Sequence, residues 1–301
     1  MDPRPADTIP TDPIRVDPAP ADTIGHYELN DGNRLPRVGF GTYPLRHEAG
    51  VSAMVRALDN GYRLIDSAVN YENEVDVGDA VCSSGLPREE IQVTTKVPGR
   101  FHAHEEAVRS VEDSLRRMRL DVLDLVLIHW PNPSRGLYVE AWEALVECRE
   151  RGLVRSIGVS NFTEAHLERV IERTGITPAV NQIELHPAFP QVEMRAVNER
   201  LGIRTESWSP LGRAKQDGPV GSEAVVSAAE AHGVEPAQVV LRWHVQLCSI
   251  PLPKSASPER QRSNLGVFGF ELSEDEMAAI TALGRPDGRL FGADPDTHEE
   301  M

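Results

Sequence analysis

Apolar and polar residues alternate along this chain in two rhythms. Short apolar runs predict β-strands at residues 38–42, 64–66, 91–96, 123–129, 154–158, 179–183, 203–206 and 250–253. Between them, apolar residues three and four apart predict helices. Val108, Val111, Leu115 and Met118 form one such stripe, with arginines and acids between. Helices are expected over residues 50–60, 73–83, 105–118, 139–151, 164–173, 191–200 and 223–232. Gly61, Gly152, Gly202 and Gly233 fall where helices should stop. Helices near 236–247 and 273–283 are additional to the repeat. Ahead of it, residues 26–29 and 35–40 flank Asn30-Asp31-Gly32-Asn33, which reads as a β-hairpin.

Eight strands alternating with helices over about 250 residues predict an α/β fold, a parallel (β/α)8 TIM barrel. The hairpin precedes it and extra C-terminal helices follow. A doubly wound sheet is the alternative. The length of 301 residues then fits one barrel domain over 26–301. Residues 1–25 differ: Asp2, Asp7, Asp12, Asp17 and Asp22 recur every five residues among six prolines, without an aromatic. Such a segment buries too little apolar area to offset its ordering entropy, so a disordered tail is expected.

Composition narrows the functional classes. The formal charge of −16 argues against general nucleic-acid binding and requires a local basic pocket for any anionic ligand. No apolar run approaches the roughly 18 residues of a membrane helix; the stretch 122–130 contains Asp124 and His129. No secretory signal is visible at the start. Cys82, Cys148 and Cys248 are far apart and odd in number, which favours reduced thiols in a cytoplasm.

Barrel chemistry sits at the C-terminal ends of the strands. Those ends carry Asp66, Lys96, His129 with Trp130, Ser160-Asn161, Gln182 and Trp208, and Tyr71 follows Asp66 by five residues. Each alone fits a structural role: a solvated lysine, a core histidine, a helix-capping aspartate, a loop tyrosine. Their recurrence on one rim points to a site.

The order Asp66, Tyr71, Lys96, His129 resembles the aldo-keto reductase superfamily. Further matches are Gly39-Phe40-Gly41-Thr42, Ser156-Ile157-Gly158-Val159-Ser160-Asn161-Phe162, Asn181-Gln182-Ile183-Glu184-Leu185-His186-Pro187, Ser209-Pro210-Leu211-Gly212 and Ile250-Pro251-Leu252-Pro253-Lys254-Ser255. The resemblance is nearest to bacterial members like 2,5-diketo-D-gluconate reductases, whose C-terminal region resembles Gly288-Arg289 followed by Asp294-Pro295-Asp296-Thr297.

The resemblance implies NADPH-dependent reduction of an aldehyde or ketone to an alcohol. Tyr71 would donate the proton, and Lys96 would lower the phenol's pKa from its free value of about 10. Asp66 would hold Lys96, and His129 would orient the carbonyl. For the cofactor it implies Ser160, Asn161 and Gln182 on the carboxamide and Trp208 on the nicotinamide ring. Ser209, Leu211 and Gly212 are further implied cofactor contacts. Lys254, Ser255 and Arg260 would take the 2′-phosphate and Asn264 the adenine. Ser263 stands where many relatives carry glutamate or glutamine. Trp130, Tyr43 and Phe291 are expected pocket walls for a small carbonyl substrate. No metal, membrane, nucleic acid or obligate protein partner is implied, and a monomer is the usual form. Two rivals are a catalytically silent NADPH-binding sensor on the same barrel and a metal-dependent hydrolase barrel suggested by His102-Ala103-His104.

Overall fold

The computed structural model describes residues 24–212 and 218–300. Residues 1–23 of the expected tail lie outside the described residues. Its last part is not tail-like: Ile24 is buried and joins the main apolar core.

The hairpin consists of β1 (His26–Glu28) and β2 (Arg34–Pro36), paired antiparallel. Eight parallel strands follow: β3 (Phe40–Gly41), β4 (Leu64–Asp66), β5 (Gln92–Val97), β6 (Leu123–Ile128), β7 (Val154–Ser160), β8 (Val180–Glu184), β9 (Arg204–Trp208) and β10 (Ile250–Pro251). Each pairs with its sequence neighbour. Gly39 and Gly41 donate to the carbonyls of Pro251 and Pro253 at 3.0 and 3.2 Å, so the first and last strands meet. The (β/α)8 expectation holds, and the doubly wound alternative fails on this strand order and closure.

The helices are α1 (His47–Asp59), α2 (Glu74–Ser83), α3 (His104–Met118), α4 (Tyr138–Glu150), α5 (Glu164–Thr174), α6 (Val192–Arg200), α7 (Glu223–His232), α8 (Pro236–Gln246), α9 (Pro258–Leu265) and α10 (Glu274–Thr281). Strand periodicity divides the core in two. Ile65, Val93, Val126, Ile128, Ile157 and Val159 face the helices. Leu64, Leu125, Leu127, Val180, Ile250 and Leu252 form a separate cluster with Leu29 and Leu35 of the hairpin, which closes the strands' N-terminal end. The helices outside the repeat differ from expectation. Apolar residues of α7, α8 and α10 (Val225, Trp243 and Ile280 among them) share a satellite core, and α8 leads directly into β10. The additional elements are therefore α7 and α10.

Candidate active site

The centre of the site is built from β4 and β5. Adjacent parallel pairing sets Asp66 opposite Thr94, and the same inward parity brings Lys96 above Thr94. Lys96 is fully buried, and its ammonium lies 2.8 Å from each Asp66 carboxylate oxygen and 2.8 Å from the Ser67 carbonyl. It also reaches the Tyr71 hydroxyl at 3.4 Å. Burial alone would push the Lys96 pKa down, but the facing Asp66 carboxylate, with Tyr71, outweighs it and holds it above its ordinary value.

Tyr71 is carried by a single 3-10 turn, Val69–Tyr71, after β4. The Ser67 hydroxyl donates to Asn73 Oδ1 at 2.7 Å, and Asn73 Nδ2 bonds Thr42 Oγ1 and the Leu45 carbonyl at 3.0 and 2.9 Å. These bonds tie the loops after β3 and β4 together. The expected depression of the Tyr71 pKa is not the net result. Burial raises it, Lys96 lowers it by less, and the charges of Asp66 and Glu300 add to the raise. The phenol is held protonated.

His129 follows β6, and its ring meets the Tyr71 ring edge-on at 5.8 Å. Asn161, with left-handed φ of 61°, donates to the His129 carbonyl at 3.1 Å and Ser160 Oγ at 3.0 Å. Its Oδ1 accepts from Trp208 Nε1 at 2.8 Å. Ser160 is fully buried and donates to the Gln182 backbone carbonyl at 2.8 Å.

Gln182 is a crossing point. Its Nε2 donates to Asp66 Oδ1 and to Glu206 Oε2, each at 2.9 Å. Both N–H groups are thereby committed, which leaves its side-chain oxygen Oε1 for an outside donor. Glu206 was not anticipated. It is fully buried; burial, reinforced by the Asp66 charge, pushes its pKa up to about 8. The signal was present in the strand period: Glu206 precedes Trp208 by two residues on β9 and so shares its inward face.

These groups open onto a cavity of about 450 Å³ lined by Tyr43, Tyr71, His129, Trp130, Asn161, Gln182, Trp208, Ser209, Leu211, Lys254 and Phe291, with Asp66 at its floor. Tyr43 and Phe291 are more than half exposed yet belong to this wall: Tyr43 packs on Tyr71 at 5.2 Å and Phe291 on Trp208 at 5.9 Å. Lys96, Ser160, Gly212, Ser255, Arg260 and Asn264 are not among the residues at its surface. Lys96 and Ser160 lie beneath it. Asn264 is buried near Tyr62, whose hydroxyl donates to the Gln261 carbonyl at 3.3 Å. Ser255 binds the Ser257 amide at 3.1 Å ahead of α9, and Arg260 lies exposed in the first turn of α9. Neither Lys254 nor Arg260 has an ion-pair partner among the described residues. His104 faces Glu147 at 3.6 Å while His102 is buried near Glu299 and Glu300, and no group of three potential metal ligands occurs among the described residues. A larger depression of about 740 Å³ lies at the opposite, hairpin end, where Arg155 and Asp124 already pair at 3.2 Å.

The chain is similar to known proteins over most of its length. A family model described as the aldo/keto reductase family matches residues 37–285. The 2,5-diketo-D-gluconic acid reductase B of Corynebacterium sp. (strain SHS752001) is 57% identical over 273 residues, 91% of this chain and 97% of that protein. An aldo-keto reductase of Mycolicibacterium smegmatis is 46% identical over 269 residues, covering 89% and 96%. A mutant of Gox0644, crystallised in complex with NADPH, superposes with a TM-score of 0.86 at 44% identity, covering 91% and 98%. The chain belongs to the aldo/keto reductase family and is an oxidoreductase.

Proposed function

We propose that this protein reduces an aldehyde or ketone to an alcohol with NADPH, and that Tyr71 is the proton donor. The observation that carries the reading is the buried Asp66–Lys96–Tyr71 chain opening beside His129. When bound, NADPH supplies a hydride to the carbonyl carbon. The chain's own residues supply position, charge and the proton.

The residues suit that cofactor. The Gln182 side-chain carbonyl oxygen and Asn161 on the cavity wall can meet a carboxamide, with Ser160 beneath them, and Trp208 offers an indole face beside them. Lys254 and Arg260 have no ion-pair partner among the described residues of a chain of formal charge −16, and they suit a 2′-phosphate.

In the reduction, negative charge grows on the carbonyl oxygen. His129 fixes that oxygen by a hydrogen bond. Tyr71 transfers its hydroxyl proton to it. The phenolate left behind is stabilised by Lys96, and Asp66 keeps that lysine charged and aimed. Holding the phenol protonated suits the reductive direction, which consumes a proton.

Aromatic walls at Tyr43, Trp130, Trp208 and Phe291 suit small carbonyl compounds. The relative at 57% identity directs the choice toward polar keto acids such as 2,5-diketo-D-gluconate. NADPH oxidation with a carbonyl panel, using wild type and Tyr71→Phe, tests the reading. Turnover is expected to fall by roughly 100-fold or more, the scale of general acid catalysis, with NADPH binding retained. Unchanged turnover in Tyr71→Phe removes Tyr71 from the role. Tight NADPH binding by the wild type without turnover on any carbonyl supports the silent-sensor alternative.

A further inference from the structure

The last described residues form a strap across the catalytic rim. Asp296 accepts from the Thr163 hydroxyl at 3.3 Å. The His298 ring packs on Trp130 at 4.3 Å. Glu299 accepts from the Ser134 amide at 2.8 Å. Asn132 donates to the Glu300 carbonyl. The strap ends with the Glu300 carboxylate behind the catalytic rim: its Oε1 is 2.8 Å from His129 Nδ1 and accepts from Asn70 Nδ2 at 2.8 Å.

We propose that Glu300 is a positioning residue for His129, fixing the proton on Nδ1 and turning Nε2 toward the carbonyl oxygen. This rests on the reductase reading above. A carboxylate oxygen and a bare ring nitrogen repel at 2.8 Å, so a proton must lie on one of the two. Burial would push the Glu300 pKa up, but the His129 charge beside it and the Asn70 bond outweigh it and hold Glu300 below its ordinary value. With Glu300 as the carboxylate, the proposal assigns the proton between the two groups to His129 Nδ1. The two atoms are in close contact without in-line hydrogen-bond geometry, so the proposal requires a small turn of the ring or the carboxylate to complete the bond. Glu300 is not part of the cavity surface whereas His129 is, so the acid acts through the ring and does not occupy the substrate's place. Three other titratable groups face this pair directly, Tyr71, His102 and His298; Lys96 and Asp66 lie beyond Tyr71, and Arg135 and Glu299 beside His102.

A double-mutant cycle tests the role. Glu300→Gln should lower kcat for carbonyl reduction by roughly ten-fold, within the usual coupling between contacting residues, and leave NADPH affinity unchanged. In a His129→Gln background the same change should cost less than about two-fold, because the residue it acts through is gone. Equal losses in both backgrounds would reduce Glu300 to a strap anchor and overturn the proposal. A second measurement does not depend on turnover. Imidazole 15N spectra of the wild type at neutral pH, with His129 identified by its loss in His129→Gln, should show a protonated Nδ1. A bare Nδ1 overturns the proposal even if the enzyme is active. A protonated Nδ1 in a protein that reduces no carbonyl keeps the Glu300–His129 contact and fails the reductase reading alone.

Discussion

Glu206 is the residue whose environment is least comfortable. Its carboxyl is enclosed in the barrel, shares one amide with Asp66, and has Oε1 without a partner among the described residues. Its folded pKa of about 8 exceeds the ordinary 4.5. Between those values the folded state keeps a proton that the unfolded chain releases. Stability therefore falls as pH rises through this window, by about 1.4 kcal/mol per pH unit from this group. The loss is absent below the unfolded value and complete above the folded one. Denaturant unfolding at pH 5 and pH 8 checks it: the stability difference between the two should shrink in Glu206→Gln. An identical pH dependence in wild type and variant would show that Glu206 does not hold the proton. Glu206 was legible in principle from strand parity with Trp208. Glu300 was not, because no periodicity links residue 300 to the rim it closes.

At the scale of elements, close backbone packing overrides local preference. Gly78 lies in α2, where alanine is intrinsically better by about 1 kcal/mol. A Cβ there would sit 2.2 Å from the Met118 carbonyl oxygen at the end of α3. That atom belongs to backbone, so the helices must separate, at a cost of roughly 1–3 kcal/mol. Gly78→Ala should therefore lower the melting temperature, read by calorimetry; a rise would mean that propensity wins. The eight strands were legible because each is a short apolar run between helical stripes. Helix α9 was not among the expected helices, since Pro258–Leu265 contains only one large apolar residue, Leu265, and offers no stripe. The roles of α7 and α8 were also unreadable, because both are amphipathic and only their packing partners separate them.

The whole molecule is acidic, with a formal charge of −16, and Lys254 is the one lysine or arginine on the wall of the cavity among the described residues. In the proposed function Lys254 and Arg260 attract a dinucleotide phosphate against a net charge of −16. Lys254→Ala and Arg260→Ala should each weaken NADPH by roughly ten-fold or more, with NADH little affected, since a charge-assisted bond to the extra phosphate is lost. Fluorescence titration with both nucleotides checks this; equal weakening of the two would place the cations elsewhere on the cofactor. The aspartate, tyrosine, lysine and histidine were readable as a motif. Their energetic balance was not, because the burial that keeps the Tyr71 phenol protonated comes from parts of the chain distant in sequence.

Deuterium transfer tests the central claim most directly. NADPH deuterated at the transferable position of nicotinamide C4 is incubated with 2,5-diketo-D-gluconate and simple aldehydes, and the alcohols are analysed by mass spectrometry. Wild type should give product with one deuterium on the new carbinol carbon, and Tyr71→Phe should give almost none in the same time. Alcohol formed without deuterium, or formed equally well by Tyr71→Phe, would contradict the account.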